Sequence, residues 1–142
     1  MAVEVHDGIT IINGLICEEV RPEPNGKWAL LGVFSGDIVV PEVPAFVRMA
    51  VYFEAQLTKP YEGKMLVRFR LDDAQSLLVV GSVVATAVGP MNFPVPAVMV
   101  PFQQAGIIHI DMGIDEQHLI EVLSRKLIVG VFKNGQLISS SG

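Results

Sequence analysis

The chain has 142 residues, 51% of them hydrophobic and only 18% charged, with a formal net charge of −5. This suits one globular domain over residues 1–142 with a real core, and it excludes a disordered chain. No basic run is longer than Arg125-Lys126, so a surface that tracks nucleic-acid phosphates is not expected.

The start, MAVEVHDG, carries acids where a secretory signal needs a basic region and an apolar run. The least polar window, Leu77 to Met91, is shorter than the ~20 residues of a membrane helix, and Gly81, Ser82, Thr86, Gly89 and Pro90 interrupt it. The one cysteine, Cys17, excludes an intrachain disulfide and is compatible with a reducing compartment. The expectation is a soluble cytoplasmic protein without a membrane segment. Helix-favouring Lys, Glu and Arg are sparse beside Val, Ile, Gly and Pro, which points to strands and turns.

Residues 1 to 8 read as a loose lead-in, followed by a strand from Ile9 to Val20 with a break at Asn13-Gly14. The next stretch, Leu15 to Phe34, reads as a β-hairpin around Glu23-Pro24-Asn25-Gly26-Lys27. Proline presets φ for the first turn position, asparagine tolerates the second and glycine supplies a left-handed residue. This three-residue loop sets Glu23 opposite Lys27, Arg21 opposite Ala29, Glu19 opposite Leu31 and Cys17 opposite Val33. Side-chain alternation then places Ile16, Val20 and Pro22 with Trp28, Leu30 and Phe34 on an inward, apolar face. Pro22 lacks an N–H, so the first strand should be an edge near the turn.

A short strand at Ile38 to Val40 is closed off by Pro41 and Pro44. From Phe46 to Leu57 a long strand sets Val47, Met49, Val51 and Phe53 inward. Lys64 to Leu71 alternates Met65, Val67, Phe69 and Leu71 with Lys64, Arg68 and Arg70, which suggests a solvated basic face. The nearly all-apolar Leu77 to Val88 reads as a buried strand bent at Gly81, with a helix as the alternative that periodicity alone leaves open. Four prolines make Gly89 to Pro101 extended or looped, with few ladder bonds expected, although Val98 to Phe102 can still pair at an edge. Gly106 to Met112 is a strand with Ile108, Ile110 and Met112 on one side. Residues 115 to 126 fit either a short helix capped by Asp115 or a strand in a hairpin with Gly106 to Met112. Leu127 to Phe132 is a strand entering an Asn134-Gly135 hairpin, and Ser139 to Gly142 reads as a frayed tail. Seven to nine strands with regular turns indicate an all-β antiparallel β-sandwich, of immunoglobulin-like type or else a barrel, with at most one short helix.

The run Cys17-Glu18-Glu19-Val20-Arg21-Pro22-Glu23, then Gly26-Lys27, Leu31-Gly32-Val33-Phe34 and Ile38-Val39-Val40, resembles the N-terminal signature of a family of small bacterial proteins of unknown function. The resemblance covers about the first third of the chain. It implies a single β-rich domain of bacterial or phage-related origin, and it assigns no activity.

Three groups of residues could carry chemistry. Glu19, Arg21, Glu23 and Lys27 share one hairpin face, where acids two residues either side of an arginine can hold its guanidinium and recognise a charged partner; a solvated ladder that guards an edge is the plainer reading. His109, Asp111 and His118, with Asp115 and Glu116, could converge on a divalent metal, although their spacing matches no metal motif. Cys17 has no histidine partner identifiable in sequence and reads as a buried thiol. No phosphate-binding loop or nucleophile elbow occurs, and nothing points to a cofactor. The apolar content exceeds what a small core hides, so the leading expectation is a non-enzymatic module that binds a protein partner or itself. A small-molecule binder is the alternative, and a metal-dependent enzyme comes third.

Overall fold

The computed structural model describes residues 2–139. Its strands are β1 (Val3–His6), β2 (Ile9–Pro22), β3 (Trp28–Val33), β4 (Ile38–Val40), β5 (Ala45–Leu57), β6 (Tyr61–Leu71), β7 (Ala74–Ala85), β8 (Gly89–Phe102), β9 (Gly106–Gly113), β10 (Ile120–Lys133) and β11 (Gln136–Ser139). They form two sheets, in a sandwich-like all-β arrangement. One runs β1-β2-β5-β8, with β3 also on β2; the other runs β11-β10-β9-β6-β7, with β4 also on β10. All pairings are antiparallel except β4 with β10, which is parallel.

The sheets enclose a core that follows the alternation of the long strands. Met49, Val51 and Phe53 of β5, Phe69 of β6 and Ile108 and Ile110 of β9 are all fully buried. Burial of one such side chain contributes about 1.5–3 kcal/mol, which is why the period-two strands hold their register. Gly14 lets the sheets approach: a β-carbon there would lie 2.9 Å from Leu123 Cδ1 of β10 and 3.0 Å from Phe53 Cδ1.

The hairpin has the expected register, with Cys17 opposite Val33, Glu19 opposite Leu31 and Arg21 opposite Ala29. The Glu23 N–H donates to the Lys27 carbonyl at 2.8 Å. Both Asn25 (φ 67°) and Gly26 (φ 73°) are left-handed, a conformation those two residue types tolerate best. β2 pairs with β5 only from Ile9 to Cys17, so its turn end is an edge on that side. For the same reason Trp28 is not inward. The ribbon has outrun β5, and Trp28 and Leu30 are half-buried and outside the core, whereas Phe34 packs against it.

Other expectations are corrected. Of the expected loose lead-in at residues 1 to 8, the described part is ordered: β1 pairs with β2 through a turn at Asp7-Gly8 and buries Val5. Asn13-Gly14 does not end the strand; the register shifts between Ile11 and Asn13 and pairing resumes. Residues 115 to 126 contain no helix: Asp115 organises a turn, its Oδ1 accepting from the Gln117 N–H at 3.0 Å, and β10 begins at Ile120. Leu77 to Val88 is not a buried strand. Its strand, β7, pairs with β6 alone, leaving Val80 59% and Val84 63% exposed. The proline-rich stretch pairs with β5 at Val98 to Phe102 as expected and, beyond expectation, from Gly89 opposite Leu57 to Val95 opposite Val51, the register shifting between the two parts. An edge strand accommodates prolines where the missing N–H would face outward. At the far end Asn134 (φ 51°) and Gly135 (φ 75°) make the expected tight turn, with Lys133 opposite Gln136. Of the expected frayed tail, Ser139 ends β11 and the rest lies outside the described residues.

Candidate interaction face and a buried charge clasp

The outer surface of the β1-β2-β5-β8 sheet brings the hairpin together with β5 and β8. The alternation that turns Val47, Met49 and Val51 inward turns Phe46, Arg48 and Ala50 outward. Arg48 stands opposite Met99, Phe46 opposite Pro101, and Ala50 opposite Cys17, itself opposite Val33. Leu31 and Val33 of β3, Phe46 of β5 and Met99 of β8 are therefore on one face, and Phe46 is 70% exposed.

Charge borders these apolar residues. Arg21 Nη2 pairs with Glu19 Oε2 at 3.0 Å. Arg48 crosses from β5, its Nε donating to the Glu18 carbonyl at 3.1 Å and its Nη2 lying 3.9 Å from Glu19 Oε1. Of the four hairpin residues singled out from sequence, Glu19 and Arg21 are thus brought together; Glu23 and Lys27 join through backbone only and form no ion pair among the described residues. Arg48, Phe46 and Met99 escaped the sequence reading, because the register that sets β5 and β8 beside the hairpin is long-range.

Cys17 belongs to the same face but is fully buried beneath it. Burial pushes its thiol above the ordinary value, which opposes thiolate formation.

On the outer surface of the other sheet the second candidate cluster is rearranged. Asp111 is 1% exposed and is the one buried charged residue among those described. Arg68 Nε donates to Asp111 Oδ2 at 2.9 Å, Arg70 Nε to the same oxygen at 2.7 Å, and Arg70 Nη2 to Oδ1 at 3.2 Å. Arg70 Nη2 also reaches Glu121 Oε1 at 3.2 Å, and His109 Nδ1 contacts that same oxygen. Burial alone would raise the Asp111 carboxyl; the hydrogen bonds from Arg70 and Arg68 outweigh it and hold the group below its ordinary value. Arg70 is held above its own by the hydrogen bond to Asp111. The basic side of β6 is therefore a clasp on Asp111, not a freely solvated face.

This clasp separates the residues considered for a metal. Asp111 has two guanidinium partners, His109 pairs with Glu121, and His118, 78% exposed, sits in the turn with its Nδ1 2.8 Å from Asp115 Oδ1. Among the described residues no three His, Cys, Asp or Glu side chains are grouped to hold a metal. A signal for the clasp was present in the sequence: Arg68 and Arg70 alternate on one strand as His109 and Asp111 do on another.

Between β7 and β8 lies a cleft of about 120 Å³ lined by Val67, Val79, Val83, Phe93, Val95 and Met112, among others. A wider depression of about 550 Å³ lies beside Asp72 to Ser76 and Gln103-Gln104. No helix among the described residues is long and apolar enough to cross a membrane.

Two sheets packed on a shared core, with a mixed apolar and charged outer face, define an all-β sandwich protein. The chain belongs to a family of unknown function (DUF6941), whose family model matches residues 13–129. The match spans the hairpin, the outer face and the Asp111 clasp; it leaves out β1 and β11. No curated protein matches the chain.

Proposed function

We propose that this protein is a non-enzymatic interaction or assembly module of a single domain, which binds a protein partner through the outer face of the β1-β2-β5-β8 sheet. The observation that carries the reading is the exposure of Phe46 (70%) and Met99 (52%) beside Leu31 and Val33, bordered by Arg21, Arg48 and Glu19. Apolar anchors with an arginine-bearing charged border are the anatomy of a protein interface. Glu23 and Lys27 at the hairpin tip extend that border. A net charge of −5 favours a protein over a nucleic acid as the partner, and the buried, unpaired Cys17 suits a bacterial cytoplasm.

The small-molecule reading has less support. The apolar cleft of about 120 Å³ falls short of the ~300–1,000 Å³ typical of ligand pockets, and the depression of about 550 Å³ beside Asp72 to Ser76 reaches that range only as a feature open to solvent.

The test uses the intact chain. A hydrophobic dye should bind it, and Phe46→Ser with Met99→Ser should remove most of the dye signal while shifting stability by no more than about 0.5 kcal/mol, as for other surface changes. A chain that sediments as a clean monomer and binds no dye overturns the proposal.

A further inference from the structure

Past Val129 the second sheet runs out and only a ribbon continues. β10 pairs with β9 as far as Leu127 and with β4 as far as Val129; from Gly130 to Ser139, β10 and β11 pair with each other alone. Every residue from Val131 to Ile138 is exposed, among them Val131, Phe132 (66%), Leu137 and Ile138. A two-stranded ribbon is marginal by itself. Contiguous apolar side chains left in water mark a surface that meets another one.

Beside the root of this ribbon is an open groove of about 240 Å³. Its buried lining is Ile38, Val40 and Val47 with half-buried Phe34, and its exposed lining includes Phe46, Glu18 and Arg48. That volume is below the ~300–1,000 Å³ of whole-ligand pockets and suits one inserted side chain, as where an anchor of one protein fills a pocket of another. Val40, in the groove, stands opposite Val129, at the root of the ribbon. Phe132 is three residues further on, ~10 Å along the strand. Within one chain the two do not meet, because no residue of the ribbon lines the groove.

We infer that the ribbon of one copy of this chain docks in the groove of a second copy, Phe132 entering beside Phe46 and Lys133 meeting Glu18, and that the second ribbon does the same in return. Charge selects this occupant. The whole chain carries −5, yet from Val122 to Ile138 it has Arg125, Lys126 and Lys133 and no acid; Lys133 is the one charged residue from Gly130 to Ser139. The groove has the opposite balance. Glu18 lines it, while Asp37 and Glu42, both exposed, flank its β4 wall in sequence. Neither these three carboxylates nor Lys133 has an ion-pair partner among the described residues, whereas Arg48 donates to the Glu18 carbonyl and lies 3.9 Å from Glu19 Oε1. An acid-free cationic ribbon thus complements an acidic groove, and complementary charge fixes which surfaces meet. Because ribbon and groove adjoin on the chain, one twofold axis brings both contacts into a single isologous interface that closes at two copies. The inference rests on the reading of the chain as an interaction module; it takes in the Phe46 end of that face and leaves Met99, Leu31 and Val33 outside the dimer contact.

The experiment is sedimentation of the full chain, wild type and charge-reversed. The wild type sediments at twice the monomer mass of 15.4 kDa. One variant is Lys133→Glu, the other Glu18→Lys with Glu42→Lys; each alone sets like charges together in both contacts, which weakens self-association at least about tenfold and gives a monomer. An equimolar mixture of the two variants restores opposite charge in both contacts and returns the dimer. All three positions are exposed, so far-ultraviolet spectra match the wild type. Phe132→Ser, which also gives a monomer, carries the test if a charge-reversed chain fails to fold. A wild-type monomer, a dimer that survives Phe132→Ser, or reversed chains that stay monomeric when mixed overturns the inference. A wild-type monomer that binds hydrophobic dye overturns it while leaving the interaction-module reading in place, and a monomer without dye binding overturns both.

Discussion

Arg70 grips Asp111 diagonally across two strands. Its register partner is His109, while Asp111 stands opposite Arg68, yet Arg70 makes two of the three hydrogen bonds that Asp111 accepts from the arginines, at 2.7 and 3.2 Å. Diagonal neighbours lie within reach of a long side chain, and the guanidinium fork matches a carboxylate. A nearly inaccessible charge on the outer surface of a sheet is thus paired by side chains that lie over it.

Removing that charge should be costly. Asp111→Asn leaves Arg68 without its carboxylate and Arg70 with only Glu121. We expect a loss of about 2–3 kcal/mol, below the 3–5 typical of a fully buried pair because both arginines remain partly exposed. Urea denaturation of the two proteins measures it, with the midpoint falling and the slope unchanged.

The same clasp sets an acid limit. Asp111 titrates below its ordinary value in the folded state, so unfolding raises its affinity for protons. Its contribution is fully present above the unfolded value of about 3.9 and is lost as pH falls through the lower folded value. Stability of the wild-type chain should therefore drop more steeply than that of Asp111→Asn below about pH 4, narrowing the gap between them. Thermal unfolding across pH 2.5 to 6 follows this directly.

What could be read in advance was local. Pro24-Asn25-Gly26 fixes a loop and hence the register from Glu23 back to Cys17, and alternation in β5 and β6 identifies Val47 to Phe53 and Met65 to Leu71 as inward. What could not be read was where each strand falls in its sheet. An apolar run such as Leu77 to Val84 has the same composition at an unguarded edge as in a buried centre, and the prolines of β8 forbid a central strand without forbidding a paired one. Alternation gives the face that Trp28 shares but not whether another sheet lies beneath it. The candidate site was legible in part: Glu19 with Arg21 is local, whereas Arg70 with Asp111 spans 41 residues and depends on β6 lying beside β9.

Gly14 should resist substitution although its φ is not left-handed. An alanine there would place its β-carbon against Leu123 and Phe53, both in the tightly packed core. Overpacking of this kind costs about 1–3 kcal/mol. By contrast Gly36→Ala, whose added carbon meets nothing within 4 Å, should change stability by under about 0.5 kcal/mol. Melting temperatures of the two variants, compared with wild type, separate the cases.

Cys17 tests whether the outer face of the hairpin sheet is as closed as its geometry implies. The thiol lies on the outward side of β2, yet it is fully buried beneath its neighbours, its Sγ 3.3 Å from the Glu19 carbonyl. Burial raises its pKa, so at pH 7 to 8 it stays protonated as well as shielded, and both effects slow attack on a reagent. We expect an aromatic disulfide reagent to label the native chain at least a hundredfold more slowly than the chain in denaturing urea. The rate should climb in step with the opening of the hairpin as urea is added below the main transition. Labelling of the native chain at the rate of a free thiol would mean that the sulfur is not closed off beneath the outer face, and that face would need a different description.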